Sequence, residues 1–152
     1  MPPDQYVYFA LFSRHTSADD MTSQLGITPD EVTVRGSRFT EPVTVPVDHS
    51  WRVVCREPGL RVDEQITRIL DRLQAHTDRI ADLTRHLAGT GGGAVLQVVR
   101  RFNDTDRARP GTADVPNLLG WHLDRRVLDF LGATGAELDV DEYDMAGGND
   151  AG

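Results

Sequence analysis

Apolar and polar positions alternate along this chain with two different periods. Tyr6 to Ser13 (YVYFALFS) is a run of aromatic and apolar residues that predicts a well-buried strand. Ser17, with Asp20 three positions on, resembles a capping box at a helix start. Ala18, Met21 and Leu25 then fall on one helical face, and Gly26 supplies the stop. Asp19 and Asp20 sit where the helix dipole favours negative charge. Glu31 to Arg35 alternates, with Val32 and Val34 on one face. Between Ser37 and Ser50 the valines at 43, 45 and 47 alternate, but Pro42 and Pro46 interrupt any ladder, so an edge segment or a long loop is expected. Trp51 to Arg56 is a firmer strand, with Trp51, Val53 and Cys55 on one face and Arg52, Val54 and Arg56 on the other.

The longest helical signal follows the Pro58-Gly59 turn. Val62, Ile66, Ile69, Leu73, His76, Ile80, Leu83 and Leu87 recur at steps of three and four, a seam with one polar member. Asp63 is the predicted N-cap. Two forms fit: one helix from about 63 to 88, or a break near His76-Thr77; the continuity of the seam favours one helix with a kink. Gly89 to Gly93 reads as a flexible turn. It is no phosphate loop, because no Gly-Lys-Ser/Thr follows and the next element, Ala94 to Phe102, is a strand. Asn103 to Asn117 is polar and reads as a long loop. Leu118 to Leu123 is a predicted strand. Asp124 caps a predicted helix containing Val127, Leu128 and Leu131 that ends at Gly132. Ala136 to Tyr143 is the last strand, with Leu138 and Val140 inward and Asp139 and Asp141 outward.

The predicted class is therefore α+β, in the order βαββαββαβ, with a mostly antiparallel sheet and helices on one face, as in a ferredoxin-like sandwich. A single domain over 1–143 and a short tail over 144–152 are expected. Leu25-Gly26-Ile27-Thr28 through Val34 is echoed by Leu131-Gly132-Ala133-Thr134 through Val140. The echo predicts that residues 18–34 and 124–140 superpose as helix-turn-strand units.

Asp19-Asp20-Met21-Thr22 leading to Leu25-Gly26-Ile27-Thr28-Pro29, then Gly36, Trp51, the long helix and the closing Leu138-Asp139-Val140-Asp141-Glu142-Tyr143 resemble the bacterial family called domain of unknown function 4279. The similarity spans about residues 6 to 143. It implies no activity and no catalytic residues, and the stretches at 42–46 and 103–117 match no part of the pattern.

Composition narrows the chemistry. The chain has 152 residues, a net charge of −8, and sixteen cations that are all arginine. Acidity disfavours a nucleic-acid partner, which needs clustered positive charge. No apolar run reaches the ~20 residues that span a bilayer, so no membrane partner is expected. The single cysteine, Cys55, excludes an intramolecular disulfide and a cysteine zinc cage. The opening residues lack a signal-peptide pattern, and a cytoplasmic location is expected.

The candidate site residues are few. His122, Asp139 and Asp141 would form an acid–base or hard-metal cluster if their strands paired; a polar outer sheet face is the plainer expectation. Trp51 and Trp121 are pocket or partner anchors, or core. Arg100 and Arg101, with Arg107 and Arg109 nearby, could contact an acidic ligand or pair with Asp104 and Asp106. No catalytic residue, metal or cofactor is assigned. Three functions follow as expectations: a non-enzymatic binding or regulatory module of a bacterial cytoplasm with a protein partner, such as an immunity-type protein against a basic toxin; a small metal-dependent or acid–base hydrolase using the His/Asp cluster; or a homo-oligomeric structural domain, a homodimer for instance.

Overall fold

The computed structural model describes residues 4–37, 46–102 and 120–145. Its elements in chain order are β1 (Asp4–Ser13), α1 (Ala18–Leu25), β2 (Glu31–Thr33), β3 (His49–Cys55), α2 (Val62–Leu73), a 3-10 turn (Gln74–His76), α3 (Thr77–Ala88), β4 (Gly93–Phe102), α4 (Arg125–Thr134) and β5 (Glu137–Asp144). The class is α+β, built on one five-stranded mixed sheet in the order β2-β3-β1-β4-β5. β3 pairs antiparallel with β1 and with β2, and β1 pairs antiparallel with β4. β5 joins β4 in parallel, after the crossover through α4.

Strand alternation sorts the side chains. Val7, Phe9 and Leu11 of β1, Trp51 and Val53 of β3, and Leu96 and Val98 of β4 form one buried face. They share a core with Met21 and Leu25 of α1, the seam of α2 and α3, and Val127 and Phe130 of α4. All the described helices therefore lie on this face. Phe9 meets Phe130 edge to face, with ring centroids 5.6 Å apart, a geometry aromatic pairs favour.

Several sequence expectations need correction. The seam of residues 63–88 is not one kinked helix. It breaks at the 3-10 turn, where Thr77 Oγ1 donates to the carbonyl of Gln74 (2.6 Å). The polar His76 has no place in an apolar core, and the tighter turn re-aims the chain there. α2 lies on β1 and β3, whereas α3 meets α1, α4 and β4. Arg126 of α4 ties the break down through Gln74 (2.7 Å) and Asp71 (2.8 Å). The N-cap of α2 is Arg61, not Asp63: its N–H donates to Glu64 Oε1 (3.1 Å), and Asp63 sits inside the first turn.

α4 does not end at Gly132. It continues to Thr134 and stops at Gly135, whose φ of 73° mirrors the 72° of Gly26. The N–H of each glycine bonds back four residues, to Leu131 and Thr22 respectively. The apparent register of the echo is therefore displaced by three residues. Four residues separate Gly26 from β2 but one separates Gly135 from β5, and the two strands pair in opposite senses. The two units share a device and not a superposable geometry. Gly120 to Leu123 form no strand, so the predicted order βαββαββαβ loses its fifth strand among the described residues. Positions 118–119, the valines at 43 and 45, the loop at 103–117 and the tail from 146 lie outside the described residues. Gly89 to Gly93 is a tight turn: a Cβ at Gly92 would stand 2.3 Å from the Phe12 carbonyl oxygen.

Candidate functional site

The opposite face of the sheet carries no described helix. Asp4, Tyr6, Tyr8, Ala10 and Phe12 of β1 line its centre, flanked by Ser50, Arg52 and Val54 of β3 and by Val95, Gln97, Val99 and Arg101 of β4. β5 adds Asp139 beside Gln97 and Asp141 beside Val99. One strip of aromatic and apolar residues thus separates Arg52 of β3, and Arg56 just after it, from carboxylates on β5.

The strip is tightly built. The rings of Tyr6 and Tyr8 stack with centroids 6.2 Å apart. The Arg52 guanidinium lies 4.5 Å from the Tyr8 ring centroid, and that of Arg56 lies 4.3 Å from Tyr6. Both distances suit cation–π attraction. Burial pushes the Tyr8 phenol above its ordinary pKa; Arg52 opposes the rise, and Tyr6, Asp141 and Asp139 add to it. Tyr8 is therefore a neutral hydrogen-bonding group at ordinary pH. Glu31 is the cross-strand neighbour of Arg52, but its carboxylate goes to Arg56 Nη2 at 2.9 Å. Asp48 pairs with Arg14 at 3.7 Å. The Arg52 guanidinium is left with no hydrogen bond or ion pair among the described residues, and its Nε is shut off from solvent. An unpaired buried donor costs about 1–3 kcal/mol. Beside it, Thr33 Oγ1 and Ser50 Oγ approach to 2.6 Å. Tyr8, Ala10, Phe12, Val95 and Pro46 complete a hollow of about 430 Å3.

The sequence-derived candidates fall in different places. Trp51 is fully buried on the helix side, and its Nε1–H donates to Thr22 Oγ1 (3.1 Å). Trp121 is partly buried against the same core, outside any strand. Both serve packing. His122 is exposed and sits at the start of α2, with Nδ1 3.2 Å from Asp63 Oδ2. Asp139 and Asp141 lie on the far side of the sheet, where Gln97 Nε2 donates to Asp141 Oδ2 (3.2 Å). The sheet itself separates His122 from the two aspartates, so the His/Asp cluster is not assembled. No group of three metal-ligating side chains occurs among the described residues.

Arg100 and Arg101 point to opposite faces. Arg101 is exposed, bonded to Asp4 Oδ2 (3.0 Å) and near the Tyr143 ring. Arg100 is 2% exposed on the helix face. Its Nε donates to Gln5 Oε1 (3.1 Å), and Gln5 Nε2 donates to Gln65 Oε1 (2.9 Å) and the Leu60 carbonyl (3.0 Å). Glu142 stands 3.7 Å from Nη1. Burial lowers the Arg100 pKa and Glu142 partly restores it. This interior network joins β4, β1 and α2.

The sequence pattern does not single out Arg52, Ser50, Thr33 or Phe12. The alternation of Trp51 to Arg56 places Arg52 outward, but its neighbours come from strands whose order and register are tertiary facts. No described helix is long and apolar enough to cross a membrane.

A family model described as "Domain of unknown function (DUF4279)" matches residues 4–145. No curated protein and no solved structure matches the chain.

Proposed function

From a chain that belongs to the DUF4279 family, we propose a non-enzymatic binding module that takes a positively charged protein partner along β5. The observation that carries this is the character of that strand. Glu137–Asp144 is a sheet edge among the described strands, and almost every residue in it is exposed. Its sequence, ELDVDEYD, holds five carboxylates and no cation. Asp139 and Asp141 face the open side of the sheet, while Leu138 and Val140, each 37% exposed, lie on the other. An edge that offers backbone donors, acceptors and apolar side chains within a negative field suits a basic partner segment. The net charge of −8 steers such a partner and repels nucleic acid. An immunity-type protein of a bacterial cytoplasm that neutralises a basic toxin is the specific form proposed. Pairing of β5 with β5 of a second copy is disfavoured, because carboxylates would face carboxylates.

β1 to β4 read as a ferredoxin-like unit. β3 lies between β1 and β2, β1 lies between β3 and β4, and every neighbour in that set is antiparallel. α4 and β5 extend it by one parallel strand.

The test is affinity capture from native lysate at low and moderate salt, with wild-type protein and an Asp139→Asn/Asp141→Asn variant. A basic protein should be captured at low salt, weakened by salt, and held about tenfold less tightly by the variant. Recovery of no partner, or a partner held equally by the variant, overturns the proposal.

A further inference from the structure

Arg52 carries a charge that no carboxylate among the described residues answers. Guanidinium groups stay protonated at all ordinary pH and pair readily with carboxylates. The neighbouring acids are already engaged: Glu31 with Arg56 and Asp48 with Arg14. The guanidinium instead lies over Tyr8, at the edge of the hollow between β3, β1 and the Pro46–Asp48 segment. We propose that this hollow is a binding site for a small carboxylate with an apolar or planar body, held by Arg52.

The parts match that chemistry. The guanidinium supplies the counter-charge and paired N–H donors for a carboxylate. Thr33 Oγ1 donates to the Asp48 carbonyl (3.4 Å) and shares a 2.6 Å hydrogen bond with Ser50 Oγ, so this pair gives the hollow a polar rim whose hydroxyl oxygens keep acceptor capacity. Phe12, Ala10 and Val95 give an apolar floor, and Tyr8 gives an aromatic wall. The volume, about 430 Å3, falls in the range of small-molecule pockets. One unanswered cation, with the Asp48 carboxylate nearby, favours a monoanion over a phosphate. The site is centred on β3 and β1 with Val95 of β4 at its far side, so it is a different surface from the β5 edge of the protein-binding proposal.

The test is a two-dimensional amide NMR titration of the full chain with benzoate, its neutral isostere benzamide, and inorganic phosphate. Benzoate should shift the amides of Tyr8, Ser50, Arg52 and Val95 and should bind more tightly than either other probe. Arg52→Gln should weaken benzoate about tenfold. Arg101→Gln, which removes a paired arginine outside the hollow and leaves Glu31 on Arg56, should change it by less than about twofold. If Arg52→Gln does not fold, Arg52→Lys keeps the charge without the fork and should weaken binding several-fold. Asp139→Asn/Asp141→Asn should not weaken benzoate binding, which separates this site from the β5 proposal. No shift at these amides with benzoate overturns the proposal. So does undiminished binding by whichever Arg52 variant folds, or phosphate or benzamide binding as well as benzoate.

Discussion

At the scale of single residues, environment decides what identical side chains do. Arg52 and Arg56 lie on one outward face, yet among the described residues Arg56 has a carboxylate partner and Arg52 has none. Arg100 and Arg101 are adjacent, yet one is interior and one exposed. Asp30 shows what a well-placed carboxylate contributes. Its Oδ2 accepts from the Val54 N–H (2.7 Å) and from Arg72 Nη1 (2.6 Å). Burial alone would raise its pKa, but the Arg72 and Val54 hydrogen bonds and the Arg72 charge outweigh it and hold the carboxyl below its ordinary value. The unfolded chain therefore binds this proton at higher pH than the folded one. The resulting stability is fully present above about pH 4, the ordinary carboxylate value, and is lost as pH falls through the lower folded pKa. Asp30→Asn should be less stable than wild type at neutral pH, and the gap should close in acid; urea melts at several pH values would read this. Gln65 is the interior counterpart. It accepts from Gln5 and donates to the carbonyls of Gln5 and Glu57. Gln65→Ala strands these groups and should cost about 1–3 kcal/mol by denaturant titration.

At the scale of elements, caps and breaks set where each segment ends. Gly135 occupies a left-handed backbone position, whereas Gly132 lies inside α4, where an added methyl would meet nothing within 4 Å. Gly135→Ala should destabilise by about 1–2 kcal/mol, and Gly132→Ala should stabilise by up to about 1 kcal/mol. Thermal melts of the two variants should move in opposite directions. Most elements are legible in the sequence. The αL glycine after α1, the caps Ser17 and Asp124, and the outward set of β3 all follow from local rules. The division of the long seam does not. A heptad-like seam survives a 3-10 turn when Leu73 and Ile80 are seven apart, because a kinked helix and a broken one keep the same residues inward. Nor does the stop of α4, because two glycines three apart both suit a helix end, and only hydrogen bonding distinguishes them.

At the scale of the whole molecule, β1 is central, β3 and β4 flank it, and β2 and β5 form the edges of the described sheet. Amide hydrogen exchange should be slowest from Val7 to Leu11 and fastest in β2, with β5 close to β2. Equal protection across the sheet would contradict this arrangement. Local pattern suffices for the α+β class, the helix-facing residues of each strand, the acidity and, with one cysteine, the exclusion of a disulfide within the given sequence. Each of those depends on composition or on a period of two or of about 3.6, and a short window of chain carries both. The open face belongs to the folded molecule. Which arginine finds Glu31, which aspartates stand beside Gln97, and how far His122 lies from them depend on strand order and register. Pairing of strands many residues apart is set by the packing of the whole core, and no short segment of the chain contains that information.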